Sequence, residues 1–237
     1  LIVEIQQQIE SQNGIPIEVD TDGIYLSLSV ETDPLEFTRL IDEMNPEISL
    51  GYDGYWESGF FLSKKNYALT NNEKLEITGA SLRARDIEPA FREYMKAGLK
   101  ALLTKDVALL RANYLKIKSE IENFELDDTD LQQSKSINKP LVEYKVKSPH
   151  VQVALDNDLE VRVGDSISYI KVPDGNWAVP QPDEASYDAS HYLKRLNHIN
   201  RRFKEAFSSD ADFNAAFNPE IPIDNLQIGN HPVNQED

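Results

Sequence analysis

Near Asp86 the spacing of apolar residues changes, from mainly alternate positions before it to mainly every third or fourth position after it. One uniform layer cannot satisfy both periods, so strands and helices must be segregated along the chain. Before the change, Ile15, Ile17 and Val19 alternate with other positions, and Ile24, Leu26, Leu28 and Val30 alternate again. Asp20-Thr21-Asp22-Gly23 lies between the two runs, which predicts a β-hairpin with acids at its tip. Strand-like runs at 59–62 and 66–70 flank Lys64-Lys65, and Asn71-Asn72 turns into a third run at 75–78. Two helices interleave. Ile2, Ile5 and Ile9 mark one at the start, and Asp33-Pro34 is a cap pair for another whose apolar face is Phe37, Leu40, Ile41 and Met44. These elements predict a mixed sheet with helices on one face.

After Asp86, Ile87, Phe91, Tyr94 and Leu102 form a helical stripe, and Val107, Leu110, Tyr114, Ile117, Ile121 and Phe124 form a second beyond a break at Lys105-Asp106. Residues 126–136 read as a polar loop, 167–172 as a strand, and Tyr192, Leu196, Ile199, Phe203 and Phe207 as a last amphipathic helix. Beyond Ser208 there are six acids and no Lys or Arg, which reads as a mostly extended tail. The fold class is α+β, with three sections: 1–100, 101–207 and an acidic tail at 208–237.

The formal net charge of -17 argues against indiscriminate binding of nucleic acid, but the charge is unevenly placed. Residues 64–118 hold twelve Lys or Arg against six Asp or Glu, whereas 18–57 hold eleven acids and one Arg. Such asymmetry suits one basic working surface with a solvated acidic back. There is no cysteine, so disulfides and thiolate metal sites are excluded and any metal must sit on oxygen or histidine. No apolar run approaches the roughly 18 residues of a membrane span, and the first residues do not form a basic-then-apolar leader. Those features, with the absence of cysteine, predict a protein of the cytoplasm, or a viral protein in a host cytoplasm.

Asp20 and Asp22 are the sharpest chemical pair. Two carboxylates one residue apart on a tight turn can both approach a hard cation such as Mg²⁺. Taken alone, the same four residues equally suit an inert surface turn. Lys64-Lys65 alone suits a solvated strand edge that resists aggregation, and His150 after Pro149 suits a helix start or a core position.

Together the motifs resemble the B-family DNA polymerases. Residues 17–23, Ile-Glu-Val-Asp-Thr-Asp-Gly, are similar to the family's third polymerase motif, and 59–68, with Lys64-Lys65-Asn66-Tyr67, to its K-K-R-Y motif. Ile77-Thr78-Gly79 through Arg85-Asp86 resembles I-x-G...R-R-D. Pro149-His150-Val151-Gln152-Val153-Ala154, with residues 164–170, resembles the P-H-V-x-V-A...G-x-x-I-x-Y-I pattern of the thumb. Tyr187-Asp188 with His191-Tyr192 resembles Y-D-x-x-Y-Y. The order is that of the family from the first residue to about Phe207. Asn66 stands where the family usually has Arg, and Arg83-Ala84-Arg85 replaces adjacent arginines.

The resemblance implies the end of a palm (1–100), built as an antiparallel sheet with helices, followed by a mainly helical thumb (101–207). Asp22 would be the main metal ligand and Asp20 a supporting carboxylate in a two-Mg²⁺ nucleotidyl transfer site. Lys64, Lys65 and Tyr67 would hold primer-template DNA near its new end, Arg85 would bind the backbone or brace the palm against the thumb, and Lys139, Lys147 and His150 would add thumb contacts. The other palm aspartate motif, the fingers that bind the incoming dNTP and the exonuclease carboxylates are not in this sequence. The resemblance therefore implies a DNA-directed DNA polymerase active only with a larger chain or an N-terminal segment that carries them. Some members are split into two chains shortly before the third motif, near where Leu1 falls. Two other readings compete: a non-catalytic DNA-clamping subunit of the same fold, and an unrelated acidic Ca²⁺-binding or interaction protein.

Overall fold

Ile5 and Ile9, one helical turn apart, are the buried residues of α1 (Ile2–Ser11). The chain then reverses through Asn13, at φ 64°, and Gly14 into β1 (Ile15–Val19), which pairs antiparallel with β2 (Ile24–Ser27). In the computed structural model described here, residues 1–20, 23–71, 74–83 and 87–229 are described. Within the hairpin the register shifts between Pro16 and Glu18, a bulge where proline has no amide to give the ladder. α2 (Pro34–Glu43) begins as its cap pair predicts, because the Asp33 carboxylate accepts from the Leu35 and Glu36 amides. Phe37 and Ile41 of α2 join Ile5 and Ile9 of α1 in one apolar cluster, against which Ile24, Leu26 and Leu28 pack. That cluster gives the hairpin a hydrophobic backing that a two-stranded ribbon lacks by itself.

A second antiparallel sheet follows as a meander: β3 (Ser58–Ser63), β4 (Asn66–Thr70) and β5 (Leu75–Thr78), in that order. The strands therefore do not merge into the single mixed sheet expected from the sequence. Every strand pair in the described residues is antiparallel, and the long connection through α2 separates the hairpin from the meander. The α+β class itself holds, as small antiparallel sheets with helices.

The described chain divides into two compact units, Leu1–Gly79 and Ala80–Gly229. The second opens with the short α3 (Ala80–Arg83), followed by α4 (Pro89–Leu103) and α5 (Val107–Glu122). The break at Lys105-Asp106 is structural. Lys105 takes φ 55°, and the Asp106 carboxylate accepts from Leu109 N to start α5. A third sheet, β6 (Gln133–Ser136), β7 (Ser166–Lys171) and β8 (Trp177–Ala178), packs on α6 (Pro149–Asp156), which lies between β6 and β7 in the chain. The stretch read as a loop thus ends in a strand. Gln133-Ser134-Lys135-Ser136 has no apolar alternation to announce it, and it exists through its ladder with β7. α7 (Ala189–Asn200) runs into a 3₁₀ turn, Arg201–Ala206.

The acidic end is not wholly extended. α8 (Asp210–Phe217) starts at Ser209, whose Oγ accepts from Asp212 N, and buries Phe213, Ala216 and Phe217. The three apolar residues outweigh the polar composition around them. Arg111 of α5 then holds the end of α8 by donating to the Ala215 and Ala216 carbonyls of its last turn and to the Ile221 carbonyl beyond it.

Two contacts fix the helices of the second unit. Glu88, just before α4, is 1% exposed and forms a fork with Arg195 of α7, at 3.1 Å to Nε and 3.0 Å to Nη2. At Gly98 of α4, an added Cβ would lie 2.3 Å from the Phe203 ring, so the absence of a side chain there lets the 3₁₀ turn approach α4. Gly98→Ala is expected to lower the stability of the second unit by about 1–3 kcal/mol through overpacking. Urea titration checks this, and Gly98→Ala with Phe203→Leu should recover part of the loss; an unshifted midpoint in the single variant would show that the contact is slack.

Candidate functional site

Glu18 and Asp20 lie two residues apart at the end of β1 and face the same way, as strand alternation requires. Both reach the turn between β3 and β4. Glu18 Oε1 accepts from the backbone amide of Lys65 at 2.9 Å, and Asp20 Oδ1 is 2.8 Å from Lys65 Nζ. The Asp20 amide donates to the Gly23 carbonyl at 2.9 Å, closing the base of the hairpin tip. Thr21 and Asp22 themselves lie outside the described residues.

The turn that receives these carboxylates is a strained one. Lys65 has φ 61°, in the left-handed region that costs a side-chain-bearing residue roughly 1–2 kcal/mol. Asn66 offsets part of that cost by donating from Nδ2 to the Lys64 carbonyl at 3.1 Å and the Ser63 hydroxyl at 3.2 Å. Gly79, at φ 88°, lies against the other side: a Cβ there would fall 2.2 Å from the Lys65 carbonyl and 2.3 Å from Asn66 Oδ1. The glycine of Ile77-Thr78-Gly79 therefore has a physical reason to be glycine. Asn66, where the related motif has Arg, serves here as a turn-closing amide.

Tyr67 follows on β4 and is buried. Its hydroxyl is 3.1 Å from that of Tyr25 on β2, and the rings of Tyr25, Phe61 and Tyr67 form a tilted cluster with centroids 5.0–6.1 Å apart. Burial, then the bond to Tyr67, pushes the Tyr25 hydroxyl well above its ordinary range, so it stays protonated. Three sequence motifs thus converge in the first unit: the hairpin carrying Asp20, the Lys64-Lys65-Asn66-Tyr67 turn and Gly79. Lys64 is exposed at this turn. Among the described residues no group of three or more His, Asp or Glu could hold a metal ion. The carboxylates at this turn are of the hard oxygen type that Mg²⁺ takes.

Glu18, Tyr25, Asn66 and Gly79 were not singled out as site residues by sequence reasoning. For Glu18 the signal was available in its two-residue offset from Asp20 on one strand face.

The remaining expected DNA contacts fall differently. Arg85 lies outside the described residues. In the second unit, Lys139 and Lys147 are exposed, and Lys139 Nζ stands 4.9 Å from the centre of the Tyr144 ring. His150 does not share their surface. It is 3% exposed in the cluster of α6 and β7, with the Tyr144 and Tyr169 rings at 6.2 and 6.3 Å. In this position the ring is packed in the core rather than presented on the surface with the two lysines, and Ser148 Oγ lies 3.2 Å from its Nδ1.

No protein-family model matches the chain. The DNA polymerase of Pyrococcus horikoshii is 28% identical over 211 residues, which cover 80% of this chain and 17% of that protein. The DNA polymerase of Thermococcus kodakarensis is 29% identical over 210 residues, covering 79% of this chain and 12% of that one. Among solved structures, the family B DNA polymerase from Pyrobaculum calidifontis matches with a TM-score of 0.69 and 22% identity, over 88% of this chain and 29% of its own. The chain is similar to part of a family B DNA polymerase. It spans less than a third of each of these relatives. No helix among the described residues is long and apolar enough to cross a membrane.

Two outcomes are expected. Gly79→Ala should destabilise the first unit by about 2–4 kcal/mol, from the left-handed backbone and the clash together, and should speed hydrogen exchange at the Lys65 amide; retained protection would mean that the turn does not need the glycine. Burial holds both His150 and His191 below the ordinary histidine value of 6.5, with Lys135 adding to the effect at His150. As pH falls through 6.5 the unfolded chain takes up these protons first, so the second unit loses stability in that direction. Its urea midpoint should fall from pH 7 to pH 5, and less so in His150→Gln; equal falls would remove His150 from the linkage.

Proposed function

We propose that this chain is the C-terminal portion, or a small subunit, of a DNA-directed DNA polymerase. In this reading it supplies one metal-binding aspartate of the palm and the thumb that grips primer-template DNA. The observation that carries the proposal is the junction of Glu18 and Asp20 with the Lys64-Lys65 turn. It joins an acidic tip to a basic turn at contact distance, from motifs some forty residues apart. A nucleotidyl transfer site needs both: carboxylates for the cations, and cations for the primer-template phosphates.

Roles divide along the same line. One oxygen of Asp20 is engaged by Lys65, which suits a supporting carboxylate and leaves the principal ligand to Asp22. Two Mg²⁺ ions, when bound, would stabilise the attacking 3′-oxygen and the leaving pyrophosphate. Lys64 and Lys65 would contact the duplex near the primer end through phosphates, positioning it without reading its sequence. Tyr67, buried against Tyr25, would hold that turn in place, and Arg85, Lys139 and Lys147 would add backbone contacts. The other palm aspartate, the dNTP-binding fingers and any exonuclease belong to a larger chain or segment. The relatives' much greater length supports that division.

The test is primer extension with Mg²⁺ by the native assembly purified through this chain. Loss of an outer-sphere group costs a metal site roughly 10–100-fold, so Asp22→Asn, removing a direct ligand, should cost about a hundredfold or more, and the isolated chain should not extend primers. Equal extension by the Asn variant would instead make this chain a non-catalytic DNA-clamping subunit.

A further inference from the structure

Three asparagines in the second unit have their side-chain oxygens already occupied. Asn200 Oδ1 accepts from the Tyr94 hydroxyl, Asn197 Oδ1 accepts from the Tyr114 hydroxyl at 2.9 Å, and Asn218 Oδ1 accepts from the Glu220 amide at 3.0 Å. Burial pushes the Tyr94 and Tyr114 hydroxyls upward, so both remain protonated donors. Each amide is thereby oriented with Nδ2 as its outward group. All three line one cavity of about 480 Å³ between α5, α7 and α8.

Asn200 is the most telling of them. It is 5% exposed, yet no buried side-chain nitrogen or oxygen among the described residues lacks a partner. No hydrogen bond from its Nδ2 is present, and Asn200 lines the cavity. Arg201 and Lys118 line the same space; Lys118 is shared with Glu122, while the exposed Arg201 has no carboxylate partner among the described residues. The polar lining therefore offers donors and cations, with the side-chain oxygens of Asn197, Asn200 and Asn218 occupied and that of the exposed Asn214 the remaining amide acceptor. Leu115, Phe213 and Phe217 add an apolar wall.

We propose that this groove binds a carboxylate, presented by an acidic side chain of a partner protein with an apolar residue beside it. Fixed amide donors and one uncommitted guanidinium match the two oxygens and single charge of a carboxylate. A polyanion fits less well. The segment 205–224, which supplies Phe213, Phe217 and Asn218 to the lining, carries five acids and no Lys or Arg around them, and would repel a nucleic-acid backbone or a polyphosphate more strongly than a single carboxylate. The site lies wholly in the second unit and does not depend on the polymerase reading.

The experiment is ¹⁵N NMR of the full chain, following the side-chain amides of Asn197, Asn200 and Asn218 at constant ionic strength. The probes are the dipeptide Ac-Glu-Phe-NH₂, its Gln counterpart, sodium acetate and inorganic phosphate. Saturable shifts are expected with the Glu peptide. Affinity should fall at least about tenfold with the Gln peptide or in Arg201→Ala, as for loss of a hydrogen bond to a charged group. Acetate binding as tightly as the Glu peptide would overturn the assignment to a partner side chain, phosphate binding as tightly would overturn the carboxylate, and no saturable shift with any probe would remove the site.

Discussion

The Lys65 amide can meet Glu18 only because Lys65 turns its backbone into the left-handed region, and that turn can be held only because residue 79 has no side chain. This small arrangement decides where the acidic hairpin and the basic turn stand relative to each other. A residue with a Cβ at position 79 would push the Lys65 carbonyl away, tilt the amide, and release Glu18. The Lys65 ammonium would then no longer be delivered to Asp20 by a fixed backbone. Strain at the turn and its relief by Asn66 therefore belong to the same device, in which an unfavourable local conformation is retained because neighbours on two strands over-determine it. The aromatic cluster of Tyr25, Phe61 and Tyr67 works toward the same end, tying β2 to the meander through rings and one hydroxyl pair.

In the second unit the motif residues act mostly as architecture. Tyr187 is fully buried with its hydroxyl directed to the Glu120 and Ile121 carbonyls near the end of α5, and burial drives it up to about 12. Asp188 caps α7 through His191 N, and the Tyr192 hydroxyl accepts from Lys171 N, fastening α7 to β7. Glu88 and Arg195 add an ion pair, buried on the glutamate side, whose value lies in fixing one arrangement of α4 and α7; removing Arg195 would leave the Glu88 carboxyl without its partner in the core. A motif can thus identify a lineage while its members serve packing. His150 is the case in point, since position within a thumb-like pattern suggested a phosphate contact and burial argues for a core ring.

Much of the fold was legible because period and punctuation agreed. Asp33 caps the helix that follows it, the break at Lys105-Asp106 separates α4 from α5, and the runs at 15–19 and 66–70 became strands. What escaped depends on partners distant in sequence. β6 has no apolar pattern of its own and is a strand because β7 pairs with it. α8 hid in an acidic segment because composition averages over Phe213 and Phe217, whereas burial selects them. The candidate site divides in the same way: Asp20 could be read from its turn and Lys64, Lys65 and Tyr67 from the family resemblance, whereas the contacts of Glu18 and Gly79 with the Lys65 turn exist only when β1, the β3–β4 turn and β5 are brought together.

The first unit also leaves apolar surface uncovered beside its hairpin. Its hairpin sheet has two strands, and small sheets of that kind hold only when something apolar lies behind them. Here the backing is the cluster on α1 and α2, yet Ile2, Val3, Leu35, Leu40 and Met44 of those helices remain exposed. A further polypeptide covering those residues would add apolar burial where the hairpin needs it, beside the strands that present Glu18 and Asp20.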